Sequence, residues 1–113
     1  MSYLEKAKER RRIRSSSLKK SFKEEANRLT RLLIKKGYGF NNLYLFGSAV
    51  KERPFAPWSD IDLAIEGLKK DLFFKVYAFL LKNAEFPVDL KPFEELDEAV
   101  KRRIEREGEV IHG

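Results

Sequence analysis

Apolar positions recur along the chain with a spacing that switches several times between helical and extended. Leu18, Phe22, Ala26, Leu29 and Leu33 follow one another at intervals of three or four residues, one face of a helix. Gly37 and Gly39 end it. Leu43-Tyr44-Leu45-Phe46 is a short apolar run ahead of Gly47-Ser48 and predicts a buried strand. Residues 49–59 hold Pro54, Pro57 and several charges, a loop. Ile61, Leu63 and Ile65 then alternate with Asp60, Asp62 and Ala64, a strand with one apolar face, closed by Gly67. Residues 69–83 predict a helix that is apolar on nearly every side; across 72–81 only Lys75 is charged. Pro87 precedes a third short strand, Val88-Asp89-Leu90-Lys91. A last helix is expected from Phe93 to Glu107, with Phe93, Leu96, Val100 and Ile104 on one face and Gly108 as its stop. Val110 to His112 offers a fourth strand. The order α-β-β-α-β-α-(β) predicts an α/β (α+β) domain, a small mixed β-sheet of three to four strands covered by helices.

Charge divides the chain in two. Of its 113 residues 37% are charged and the net charge is +6. Residues 1–20 carry eight basic groups and two acids, which accounts for all of that excess. The division expected is a basic N-terminal arm, residues 1–17, and a charge-neutral domain, residues 18–113. Ser15, Ser16 and Ser17 at the join could break the helix or cap the next one. A solvated helix accounts for the arm; contact with nucleic acid or with an acidic partner are its alternatives. With no cysteine, thiol catalysis, disulfides and Cys-ligated metals are excluded. A lone His112 argues against a Ser-His-Asp triad or a His-rich metal site. No apolar run approaches the roughly 20 residues of a membrane helix, and the start lacks an apolar signal core. The expected localisation is cytoplasmic.

Three carboxylates stand out by position. Asp60 and Asp62 are two apart in an extended segment, so both fall on one face, with Cβ atoms roughly 6–7 Å apart. At an effective dielectric near 20 such charges repel by about 2–3 kcal/mol, a cost that a divalent cation between them removes. Oxygen ligands suit Mg²⁺ or Mn²⁺. Asp89, in the next strand, can reach the same face and complete the set that metal-dependent phosphoryl transfer needs. Gly47 lets the backbone approach a ligand closely, and the Ser48 N–H and hydroxyl can donate to phosphate oxygens. Lys51 and Arg53, in the adjoining loop, could neutralise a triphosphate.

Gly47-Ser48, eleven residues, then Asp60-Ile61-Asp62-Leu63, with Asp89 beyond, resembles the signature of the DNA polymerase beta-like nucleotidyltransferase superfamily. The shape is closest to its minimal nucleotidyltransferases, small proteins that pair with HEPN-domain partners. Pro57 to Gly67, Pro87 to Leu90 and the ending Arg106-Glu107-Gly108-Glu109-Val110-Ile111 are similar to corresponding parts of that group. The resemblance implies the nucleotidyltransferase fold and a site in which Gly47 and Ser48 hold the triphosphate. It implies that Asp60, Asp62 and Asp89 bind the metal and carry catalysis. It implies ATP as substrate and AMP transfer to a hydroxyl of a HEPN-type toxin, the chain acting as antitoxin. Many members carry Arg directly after Gly-Ser; this chain has Ala49, which leaves the phosphate-binding cation between Lys51 and Arg53. The alternatives are a catalytically weak module that neutralises its partner by occlusion, and nucleotide transfer to RNA gripped by the arm. The apolar 72–81 helix is read as core or as a protein–protein surface, with Phe74, Phe79 or Leu81 outward and a homo-oligomer as one outcome. Trp58 is expected to pack over the strand pair.

Overall fold

The computed structural model describes the backbone of residues 3–47 and 60–113, with side chains from residue 19 onward in those ranges. Ser48, Lys51, Arg53, Trp58 and the loop expected over 49–59 lie outside the described residues. The first helix, α1, runs Tyr3–Lys36 without a break at the three serines, so the basic arm and the amphipathic segment share one helix. Its core contacts are Phe22, Ala26, Leu29 and Leu33, the face the spacing predicts, all fully buried. It ends in a Schellman arrangement. Gly37, at φ +89°, donates its N–H to the Ile34 carbonyl at 3.0 Å, and Tyr38 donates to Leu33 at 3.2 Å.

Four strands follow: β1 (Asn42–Phe46), β2 (Ile61–Glu66), β3 (Val88–Pro92) and β4 (Glu109–His112), in the sheet order β3-β2-β1-β4. β1 is antiparallel to β2 and to β4, whereas β2 and β3 are parallel. The parallel pair needs a crossover, which is supplied by a 3-10 turn at Lys70–Leu72 and the helix α2 (Phe73–Asn83).

Alternation assigns the two faces of the sheet. Leu43, Leu45, Ile61, Leu63, Ile65, Val88 and Leu90 pack with α1 and with Val76 and Leu80 of α2 as one core. The opposite face carries Tyr44, Phe46 and Ala64, which pack under Phe93, Val100 and Ile104 as a smaller cluster. The helix expected from Phe93 to Glu107 is two pieces. A 3-10 turn covers Phe93–Glu95, Leu96 is extended at φ −74° and ψ 152°, and α3 spans Glu98–Glu107. The break has a local cause. Asp97 accepts the Val100 N–H at 2.9 Å and caps α3, a use of its carboxylate that a helix interior forbids. Among the described residues this second cluster is the smaller of the two, with Ala64, Phe93 and Ile104 as its buried members.

Candidate active site

The site is built where β1 ends and β2 and β3 begin. Asp62 stands beside Asp89 in the parallel register and opposite Phe46 in the antiparallel one, so both carboxylates share the face away from the main core. Two hydrogen bonds hold that alignment at the mouth of the strand pair. Ile61 N–H donates to the Pro87 carbonyl at 2.8 Å, and the Tyr77 hydroxyl donates to the Val88 carbonyl at 3.1 Å.

Gly47 follows β1 directly, at φ +76°. A Cβ there would run into Asp62 Oδ2 and come within 3.0 Å of Asp62 Cγ. The absent side chain thus lets the turn lie against the carboxylate, the close approach a phosphate-binding backbone requires. Gly47 also lines a hollow of about 120 Å³ together with Phe46, Val100, Arg103, Ile104, Glu107 and Gly108.

Asp60 differs from the sequence expectation. The strand starts at Ile61, and Asp60 lies exposed just before it, because the ladders to both neighbours end at residues 61 and 62. Among the described residues no three acidic side chains are gathered closely enough to hold a metal ion. What the structure brings together is Asp62, Asp89 and the turn at Gly47.

It also adds a residue that the sequence reading left unused. Lys91 Nζ lies 3.0 Å from Asp89 Oδ2, with both side chains partly exposed. The ammonium is held protonated to higher pH than an ordinary lysine, first by its hydrogen bond to Asp89 and further by the charges of Asp89 and Asp62, against the opposing effect of burial. The residues therefore fit a hard cation: two aligned oxygen donors carry negative charge into one place, and a cationic group already sits there. The period of a strand places 91 on the face of 89; that signal was present in the sequence. Arg103 had no comparable signal, since its place beside Gly47 depends on how α3 crosses the sheet.

The family model for "Polymerase beta, Nucleotidyltransferase" matches residues 18–113. The chain belongs to this nucleotidyltransferase family. Among solved structures, a mutant of the toxin–antitoxin MntA-HpeT is similar, with a TM-score of 0.62 and 20% identity over 77% of this chain and 72% of that one. A toxin–antitoxin solved with AMP-PNP is similar at a TM-score of 0.59 and 20% identity, over 77% of this chain and 73% of the other. These likenesses confirm the nucleotidyltransferase fold. No curated protein matches the chain. Among the described residues no helix is long and apolar enough to cross a membrane.

Proposed function

We propose that this nucleotidyltransferase-family domain transfers AMP from ATP to a hydroxyl of a HEPN-type partner protein and thereby acts as its antitoxin. The observation that carries the reading is the side-by-side placement of Asp62 and Asp89 beneath the turn at Gly47. Asp60, two residues before Asp62, lies exposed just ahead of β2. In the reaction the partner's hydroxyl oxygen bonds to the α-phosphorus and the bond from that phosphorus to the bridging oxygen breaks, releasing pyrophosphate. Asp89 lies at the outer strand, where it can orient and accept the proton of the incoming hydroxyl. Gly47 and Ser48 cradle the triphosphate through N–H groups. Arg103, beside Gly47, offers a cation to it in addition to Lys51 and Arg53. Asp60, Asp62 and Asp89 would hold Mg²⁺ or Mn²⁺; the chemistry a divalent ion supplies there is neutralisation of charge on the attacking and leaving oxygens. The similar toxin–antitoxin solved with AMP-PNP supports the choice of an adenine nucleotide and of a toxin as partner.

The test is transfer of label from α-labelled ATP to the cognate partner in the presence of Mg²⁺. Asp60→Asn combined with Asp62→Asn is expected to abolish it; transfer that survives the double substitution removes the assigned site.

One observation favours a second reading, neutralisation by binding alone. Phe74 is 81% exposed and Leu81 55% exposed on the outer side of α2, while Phe79 turns inward against the Tyr38 ring. Two large apolar groups on one helix suit a protein partner. Co-expression separates the readings. If the Asp60/Asp62 double variant relieves toxicity fully, binding suffices; if Phe74→Ser with Leu81→Ser alone loses relief while labelling of free nucleotide chemistry persists, the α2 face is the dock.

A further inference from the structure

The site holds a cation of its own. Asp62 and Asp89 are neighbours in register, and two carboxylates so placed repel each other. Lys91 is paired with Ala64 one step further along the same face, and its side chain reaches back so that Nζ meets Asp89 Oδ2 at 3.0 Å. Ala64 offers only a methyl group at that step, so the lysine arm meets no bulky neighbour across the strand pair. The Asp89–Lys91 pair is about two-fifths exposed, which leaves the ammonium free to be displaced.

We infer that Lys91 is a positioning residue that occupies the cation place at Asp89 before the metal arrives, and that a divalent ion must displace it to bind. This rests on the reading of Asp62 and Asp89 as metal donors. The ammonium offsets the repulsion between the carboxylates while no metal is bound, and it sets a threshold against loading by bare metal.

The probe is Mn²⁺ alone, titrated into the whole chain at fixed ionic strength, with free Mn²⁺ read by electron paramagnetic resonance. Lys91→Met is expected to tighten Mn²⁺ binding about twofold to fivefold, the range an ion pair of partial exposure supports. Lys91→Arg keeps the charge and is expected to bind as the native chain does. A merely structural role for Lys91 would weaken binding in the Met variant, so weaker or unchanged affinity there overturns the inference. Asp62→Asn with Asp89→Asn separates the two layers. If this pair of substitutions leaves native Mn²⁺ affinity intact, the metal reading and the inference fall together. If it abolishes binding while Lys91→Met changes nothing, only the inference falls. Circular dichroism of the Met variant, with Lys91→Gln as its replacement should it fold poorly, keeps the affinity comparison among folded proteins.

Discussion

A methyl group at position 47 would meet the Asp62 carboxylate and would sit on a backbone at φ +76°. The two penalties act together, one on conformation and one on space. Gly47→Ala is expected to cost about 1–2 kcal/mol of stability, measured by urea denaturation. It should lower nucleotide transfer at least tenfold, because the turn must move away from Asp62. Native-like transfer by a folded Gly47→Ala protein would show that this close approach has no part in the chemistry. The same residue shows why part of the site is legible in one dimension. Gly47 directly follows β1, Asp62 and Asp89 are the second residues of β2 and β3, and strand alternation alone fixes which face the aspartates occupy. Lys91 follows the same parity and was equally readable. Its bond to Asp89 was not, because a four-carbon arm can turn several ways and only the packed neighbours choose among them. The position of Asp60 was over-read: alternation continues through it, but the ladder stops at Ile61.

At the scale of elements, the strands and α2 follow in the expected order, α2 beginning at Phe73 after a 3-10 turn at Lys70–Leu72 within the stretch 69–83 expected as helix, and the larger departure arises where a polar side chain competes with the helix. Asp97 interrupts what looks like one amphipathic run from Phe93 to Glu107 and begins α3 instead. The apolar spacing of Phe93, Leu96, Val100 and Ile104 still has meaning, since all four join the cluster on the second face. A 3-10 turn and a capped helix can bury the same stripe as a continuous helix. Asp97→Ala is expected to cost about 1 kcal/mol, and Asp97→Ser to recover most of it, read from thermal melts as a shift of a few degrees. Equal stability of the Ala variant would mean that packing of Ile104, not the cap, sets where α3 begins. The serines at 15–17 show the converse: they can cap, yet α1 passes through them because the flanking segments both favour helix.

Strand order β3-β2-β1-β4 belongs to the whole molecule and has no local signature. Only the crossover through α2 makes β3 parallel to β2, and that pairing is what sets Asp89 beside Asp62. The crossover is tied down by one buried carboxylate. Glu25 of α1 is 4% exposed, accepts the Glu85 N–H at 2.6 Å and pairs with Arg28, whose Nη2 also donates to the Asn83 carbonyl at 2.7 Å. One ion pair thus joins the first helix to the end of α2 and to the turn that leads into β3. The Arg28 hydrogen bond, helped by the Glu85 N–H, holds the Glu25 carboxyl below its ordinary value of 4.5 despite burial. A depressed carboxyl contributes stability that is complete above the unfolded value and is lost as pH falls through the folded one. Glu25→Gln is therefore expected to destabilise the protein by about 1–3 kcal/mol at neutral pH, the range for a buried hydrogen-bonded charge whose partner is partly exposed. The gap between native and variant should stay level from pH 8 to about 6 and close as pH drops below about 4.5. Urea denaturation at several pH values measures it. A gap that persists unchanged into acid would assign the effect to shape and packing at Glu25, and the charge would then have no share in holding β3 to the sheet.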